Sequence, residues 1–318
     1  GAGPAADAFF VAFRIPNLLR RLLAEGALTI AFIPVFTEVL AKKGKDEAVL
    51  LARSTFGLLG LTLLAVCALG IAFSPQVVRL IAPGFTPGGE SFALAVNLTR
   101  WCFPYIFLVS LTALASGVLN SLDHFFAPAV SPVLLNLCLI FSAVWLCPRV
   151  DPPVLGLALG VILGGTCQAL LQAPFLKARG VGLTPAWDWK NPALRRVLRL
   201  MGPAAFGAAI YQLTVFINTI LSSYLAPGSI SYLYYADRLI EFPLGIFAIA
   251  ISTAVLPSLS RQAAAGDQEA LKRTMAHGLR LTLFINLPAM AGLLVLAQPL
   301  VVLLFTRGQF NLADAQAT

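Results

Sequence analysis

Charged side chains are scarce in this chain. Of its 318 residues, only 11% are Asp, Glu, Lys or Arg and 58% are hydrophobic, whereas an ordinary soluble domain carries roughly 25% charged residues. So few ionisable groups cannot cover the surface of a water-soluble globule of this size. The composition therefore excludes a soluble domain and predicts an integral membrane protein.

The sequence lacks the motifs typical of nucleotide binding, metal catalysis, disulfide frameworks and nucleic-acid binding. There is no GxxxxGK[ST] loop for nucleotide phosphates and no HExxH metal motif, and the two histidines, His124 and His277, are far apart. The five cysteines show no paired spacing that would indicate a metal site or a disulfide framework. The basic residues lie mainly in short loops between apolar runs, which argues against nucleic-acid binding. No catalytic residue, metal or cofactor is predicted.

Eight apolar runs are long enough to cross the hydrocarbon layer as helices, which takes about 20 residues each. They cover roughly residues 6–40, 50–82, 92–120, 127–148, 153–176, 196–225, 231–260 and 275–306. The chain is thus expected to be an all-α polytopic membrane protein. Because it lacks a starting methionine and ends just after a fresh turn, it is expected to be a fragment.

The orientation follows from the positions of Lys and Arg, since positive loops stay in the cytoplasm. The odd-numbered loops hold twelve of these residues and the even-numbered loops hold two, Arg149 and Arg307. The twelve are Lys42, Lys43, Lys45, Lys177, Arg179, Lys190, Arg195, Arg196, Arg199, Arg261, Lys272 and Arg273. The odd loops are therefore predicted to be cytoplasmic.

The chain also resembles itself at an offset of about 224 residues. The matched residues are Arg14 with Arg238, Pro34 with Pro257, and Gly84 with Gly308. A shift of six spans preserves the direction of each helix, so the repeat predicts two helical bundle lobes related by a pseudo-two-fold axis along the membrane normal, around a central cavity. Residues 1–190 would form five of the six helices of the N-terminal lobe. Residues 191–318 would form the first three helices of a truncated C-terminal lobe.

Charged residues interrupt the first and seventh apolar runs. The first run carries Asp7, Arg14, Arg20, Arg21 and Glu25, and the seventh carries Asp237, Arg238 and Glu241. Each arginine at the centre of a bilayer costs about 2.5 to 3.5 kcal/mol on insertion scales. Helical periodicity places Asp7, Arg14 and Arg21 on one face. These groups are therefore expected to line a water-filled cavity.

The sequence is compatible with three interpretations of these charged residues. The arginines and acids could form internal ion pairs or sit at helix ends. Acid pairs such as Asp7 with Glu25 or Asp237 with Glu241 could in principle serve carboxylate catalysis on a lipid-linked sugar at a membrane face. Arginine is, however, the side chain best suited to forked recognition of phosphate oxygens, so an anionic cargo is favoured.

Four segments carry a specific resemblance. They are DAFFVAFRIPNLLRRLLAEGALTIAFIPVFTE at 7–38, GVLNSLDHFFAPAVSPVLLNL at 117–137, RLMGPA at 199–204 and YYADRLIEFPLGIFAIAISTAVLPSLS at 234–260. They closely resemble the MurJ (MviN) family of lipid II flippases, and the resemblance covers essentially the whole chain. It implies two six-helix lobes in the arrangement shared with multidrug and polysaccharide exporters, followed by two further helices.

The resemblance also implies residue roles. Arg20 and Arg238 match family arginines proposed to hold the pyrophosphate, and Arg14 and Arg21 are assigned to the same substrate-binding group. Arg14 departs mildly from the family, since some members carry Lys there. The acids Asp7, Glu25, Asp237 and Glu241 are assigned to the portal and gate.

The implied function is transport rather than catalysis. Family members move lipid II, the undecaprenyl-pyrophosphate-linked peptidoglycan precursor, from the inner to the outer leaflet of the bacterial cytoplasmic (inner) membrane by alternating access. The implied partners are lipid II, the phospholipid bilayer and the cell-wall synthesis machinery, and a coupling ion or the membrane potential would supply the energy. The alternatives are an exporter of another lipid-linked oligosaccharide or a drug, and a polyprenyl-phosphate-processing membrane enzyme.

Overall fold

The computed structural model describes residues 2–21, 28–182 and 184–318. The α-helices up to residue 226 are α1 (Pro4–Leu19), α2 (Thr29–Lys43), α3 (Lys45–Ala72), α4 (Ser74–Ile81), α5 (Glu90–Cys102), α6 (Pro104–Ser121), α7 (Phe126–Phe141), α8 (Leu155–Ala178) and α9 (Pro192–Ser223). Those that follow are α10 (Ser229–Pro243), α11 (Ala250–Ala264), α12 (Gln268–Phe305) and α13 (Leu312–Ala317).

Most of the predicted spans are found as long apolar helices. Within the described ranges, six segments are long and apolar enough to cross a membrane, and the two halves of α9, bent by 48°, would make a seventh. The predicted first run contains α1 and α2, with 16 and 15 residues, and the part between them, 22–27, lies outside the described residues. The expected all-α membrane fold is confirmed.

Proline marks several of the breaks between these helices. Pro75 and Pro104 occupy the first turns of α4 and α6, where the missing N–H would have no partner within the helix. Pro203 lies inside α9, within the first half of the bent pair. The start of α9 is fixed by Asn191, whose side chain accepts a hydrogen bond of 2.9 Å from the backbone N–H of Ala193.

The helices group into two compact units. An N-terminal unit comprises Pro4–Ala226, and a C-terminal unit comprises Pro227–Thr318 together with residues 2–3. In the N-terminal unit, α9 packs against α2, α3 and α4, whereas the repeat assigns that helix to the C-terminal lobe. The lobe boundary after residue 190 stays a prediction, because packing in one conformation groups helices by contact and not by internal symmetry.

Glycines on α8 let the helices of the N-terminal unit approach closely. Gly160 and Gly164 lie against α7, where an added Cβ would collide with Ser142 and Leu135. Gly165 faces α6, and a Cβ there would lie 2.8 Å from Cδ2 of the Tyr105 ring. In lipid, where apolar burial does not drive helices together, such small residues allow tight packing. The close contacts at Gly160, Gly164 and Gly165 hold α6, α7 and α8 together.

We expect the substitution Gly165→Ala to lower the thermal midpoint of the complete protein in detergent. The added methyl group meets the ring of Tyr105, which is 1% exposed and has little room to move, and overpacking of this kind costs about 1 to 3 kcal/mol. The control is Gly60→Ala in α3, where the nearest atom, on Phe107, would be 3.9 Å away. That substitution should raise the midpoint slightly, because alanine favours a helix over glycine by about 0.5 to 1 kcal/mol. Equal effects of the two substitutions would contradict the close packing of α8 against α6 at Gly165.

Candidate functional site

Helix α1 carries two of the predicted charges into the interior of the N-terminal unit. Three of its apolar residues, Ala8, Val11 and Ala12, are fully buried, and the helix packs against α5, α6 and α8. Asp7 is only 3% exposed, and Arg14, seven residues later, is half-buried. Because residues seven apart share a helix face, both side chains lie on one face of α1.

Arg14 is directed at a neighbouring helix. Its Nε–H donates a hydrogen bond of 2.9 Å to Oγ1 of Thr219 on α9. Thr219 is 1% exposed, and its own hydroxyl donates to the carbonyl oxygen of Val215 at 2.8 Å. Sequence reasoning missed Thr219; the signal was the polar pair of Asn218 and Thr219 inside an otherwise apolar run.

Arg20 and Arg21 follow α1 in a π-helical turn, and both are half-buried. The Nε and Nη2 groups of Arg20 both donate to Oδ1 of Asn17, at 3.1 and 2.9 Å. This fork orients the guanidinium relative to the end of α1. The predicted gate residue Glu25 lies outside the described residues.

The second predicted set lies on α10 in the C-terminal unit, and its three members, Asp237, Arg238 and Glu241, are exposed. Nη1 of Arg238 lies 2.9 Å from Oε2 of Glu241, and its guanidinium carbon lies 4.9 Å from the centre of the Tyr234 ring. The side chains of Arg238 and Glu241 are 45% and 46% exposed. An exposed ion pair contributes only about 0 to 1 kcal/mol, so the contact between Arg238 and Glu241 is weak.

The structure therefore assembles each set within its own unit. On α1, Asp7 and Arg14 share a face, and on α10 Arg238 contacts Glu241. The convergence of the two sets on one chamber stays a prediction. Arg238 and Glu241 form an ion pair, as the first of the three interpretations expects, but this pair is exposed and therefore weak.

Polar contacts also hold α9 near both of its ends. At the predicted cytoplasmic end, the carboxylate of Glu38 on α2 accepts hydrogen bonds from Arg196 at 2.7 Å and from Lys42 at 2.9 Å. At the predicted outer end, the backbone N–H of Gly84 donates to Oγ of Ser223 at 3.0 Å. The bond to Gly84 holds this end of α9 in the N-terminal unit, whereas the pair of Arg196 and Glu38 is exposed and contributes little.

His124 lies in the predicted cytoplasmic loop between α6 and α7. Its ring stacks on Phe175 with 4.6 Å between ring centres, and its Nδ1 accepts a hydrogen bond of 3.0 Å from Nη2 of Arg179. Nε2 is buried and has no hydrogen-bond partner among the described residues. Desolvation of the ring, followed by the charge of Arg179, lowers the pKa of His124 below its usual value. The ring is therefore neutral at pH 7 and packs the loop against the end of α8.

The part of the chain that the structure describes contains no candidate metal site. Across residues 2–21, 28–182 and 184–318, no three His, Cys, Asp or Glu side chains come together as a metal site would require. The chemistry of the described charges is thus that of arginine and carboxylate groups.

Comparison with known sequences decides the family. The model of the family described as "Lipid II flippase MurJ" matches residues 1–318. The chain belongs to the MurJ family. It is 42% identical to a probable lipid II flippase MurJ of Vibrio cholerae, covering 99% of this chain and 62% of that protein. It is also 42% identical to the lipid II flippase MurJ of Burkholderia cenocepacia, covering 98% of this chain and 61% of that protein.

Solved structures agree with this assignment. A structure of the lipid II flippase MurJ in an inward closed conformation is 27% identical, covers 100% of this chain and 64% of that one, and superposes with a TM-score of 0.81. An inward-facing multidrug transporter of the MATE family has a TM-score of 0.83 at 16% identity, covering 99% of this chain and 71% of that one. The similarity to the MATE-family transporter shows only that the two chains share a fold.

Family membership and the apolar helices together define where this MurJ-family chain resides. With six or more segments suited to span a bilayer, it is a multi-pass protein of the bacterial cytoplasmic membrane. The chain spans about 62% of the length of the curated relatives that it matches.

The contact between Gly84 and Ser223 can be tested by comparing two adjacent serines. Both hydroxyls bond to carbonyl groups of α9 itself, Ser222 to Asn218 and Ser223 to Ile220, but Ser223 also accepts the N–H of Gly84. We expect Ser223→Ala to destabilise the protein by about 1 kcal/mol, because the amide loses its acceptor. Ser222→Ala should cost clearly less. Thermal midpoints in detergent measure both, and a larger loss with Ser222→Ala would be inconsistent with the contact.

The lowered pKa of His124 predicts a dependence of stability on pH. The unfolded chain takes up the proton near the usual pKa of about 6.5, whereas the folded protein resists it until a lower pH. The stability contributed by the neutral ring is therefore complete above about pH 6.5 and is lost as the pH falls through the folded-state pKa. We expect His124→Asn to reduce the fall in thermal midpoint between about pH 7.5 and pH 5.5. His277→Asn, at an exposed position on α12, serves as the control and should retain the wild-type pH dependence.

Proposed function

We propose that the complete protein translocates lipid II from the inner to the outer leaflet of the cytoplasmic membrane. The observation that carries the proposal is the match of the whole chain to the MurJ family, whose curated members are named lipid II flippases. The half-buried arginines on and just after α1 supply groups that suit a pyrophosphate, since guanidinium forks pair with phosphate oxygens.

In this proposal Arg14, Arg20, Arg21 and Arg238 hold the pyrophosphate, while Asp7, Glu25, Asp237 and Glu241 act at the portal and gate. Glu241 exchanges with the ligand at Arg238, since an exposed ion pair is weak enough to be displaced. Arg14 and Arg20 are oriented by Thr219 and Asn17, so their donors are set before the ligand arrives. Preorganised donors of this kind reduce the entropic cost of binding.

The lobes would rock about the central axis, with the headgroup in the polar cavity and the prenyl chain in lipid. Each charge moved across a potential of about 100 mV involves about 2.3 kcal/mol. The membrane potential, or a coupling ion held by the acidic residues, would therefore bias the cycle without any cofactor. The peptidoglycan-synthesising enzymes would be the downstream partners.

The variants Arg20→Ala and Arg238→Ala in the complete protein test this function. Each removes a phosphate donor, and we expect lipid II translocation to fall by at least about tenfold while membrane insertion is retained, because a lost charged hydrogen bond costs about 1.5 to 3 kcal/mol. The measurement is the fraction of lipid II that reaches the outer leaflet of cells depleted of the wild-type protein.

Arg149→Ala provides a matched control. Arg149 lies over the ring of Trp145 at 4.0 Å, as Arg238 lies over Tyr234, and in both cases the ring is four residues earlier. Its removal should leave translocation within about twofold of the wild type, since a cation–π contact at an exposed site is worth only about 0.5 to 1 kcal/mol. Normal translocation by both Arg20→Ala and Arg238→Ala would refute the phosphate-binding role. A hydrolysed or transferred product would indicate an enzyme instead.

A further inference from the structure

The hydroxyl group of Thr219 donates one hydrogen bond within its own helix and accepts another from Arg14. Its O–H donates to the carbonyl of Val215 in its own helix, so the oxygen faces Arg14 with its lone pairs and accepts the Nε–H at 2.9 Å. The residue is 1% exposed, so water does not compete readily for this acceptor. The bond links α1 to α9 across 205 positions of the sequence.

This bond constrains the orientation of the Arg14 side chain. A guanidinium group is planar, and all five of its N–H donors lie in that plane. Once Nε is anchored to Thr219, the plane can no longer rotate freely about the side-chain axis. The Nη groups then present their donors along fixed directions, which is the condition for forked recognition of two phosphate oxygens.

The anchor itself is rigidly placed. Helix α9 is capped by Asn191 at its start and is held against the N-terminal unit by the contacts from Arg196 to Glu38 and from Gly84 to Ser223. The contact nearest to Thr219 is the one from Gly84 to Ser223, one helical turn further on, and it holds this end of α9 in place. Thr219 is thus a stationary acceptor toward which Arg14 is drawn.

We infer that Thr219 is a positioning residue for Arg14 and sets the orientation in which this arginine meets the pyrophosphate of the substrate. The inference rests on the proposed function and deepens it. Thr219 does not touch the ligand and acts through the direction of the guanidinium. Its loss should therefore weaken headgroup binding more than it weakens the fold.

The experiment compares three substitutions in the purified complete protein, with lipid II as the probe. Thr219→Val keeps the shape of the side chain but removes the acceptor, and we expect the Kd for lipid II to rise about tenfold. Thr219→Ser restores the acceptor and should bring the Kd to within about twofold of the wild type. The matched control is Thr112→Val on α6, because Thr112 is 5% exposed and has the same intrahelical bond, to the carbonyl of Leu108 at 2.8 Å.

Thr112→Val removes an equivalent intrahelical bond on α6, so it should lower the thermal midpoint, but by less than Thr219→Val, which also removes the acceptor of the Arg14 Nε–H. It should nevertheless leave the Kd within about twofold of the wild type. Equal increases in Kd for Thr219→Val and Thr112→Val would show a general packing effect and would overturn the inference, as would a Thr219→Ser variant that binds as weakly as Thr219→Val.

A double-mutant cycle with Arg14→Ala identifies the route by which Thr219 acts. If Thr219 works through Arg14, adding Thr219→Val to the Arg14→Ala background should change the Kd by no more than about twofold. A further tenfold loss in that background would overturn the positioning role. If Arg14→Ala weakens binding but Thr219→Val does not, the positioning role alone fails. If Arg14→Ala leaves the Kd unchanged, the assignment of Arg14 to the substrate site fails and the positioning role fails with it.

Discussion

A guanidinium group cannot face hydrocarbon without a large loss of hydration, and this constraint shapes the N-terminal unit. Three arginines occur within eight residues at the end of α1 and just beyond it, so this part of the chain must have polar neighbours. Arg14 finds Thr219 on α9, and Arg20 finds Asn17 one turn back. The burial of α1 among other helices follows from its charges as much as from its apolar residues.

Meeting that constraint requires a scaffold that holds its helices at fixed distances. In the hydrocarbon layer, packing and interhelical hydrogen bonds must replace the hydrophobic effect. The glycines of α8 provide close packing against α6 and α7, and the contacts at both ends of α9 provide hydrogen bonds. Arg14 therefore meets an acceptor on α9 whose position is held by other contacts. Donors that are ordered in advance lose less entropy when they bind a ligand.

In the C-terminal unit, Arg238 has a different kind of partner from that of Arg14. Arg238 lies in an exposed ion pair with Glu241 and over the Tyr234 ring, whereas Arg14 is held by a buried neutral hydroxyl. The two partners differ in charge and in exposure, because Thr219 offers a buried neutral hydroxyl and Glu241 an exposed carboxylate.

Composition and pattern alone determined the membrane class, the helical fold and most span positions, because an apolar run of sufficient length can satisfy its backbone in lipid only by coiling on itself. The arginines were also recognisable from their cost within such runs, and the resemblance carried by the segments around Asp7 and Asp237 indicated the family. Only the tertiary structure decided which acceptor each arginine meets. Thr219 and Arg14 are 205 residues apart, and no local pattern states that the side chain of Arg14 reaches α9. The sequence specifies each helix through local periodicity, whereas hydrogen bonds between helices depend on how their faces are brought together in space.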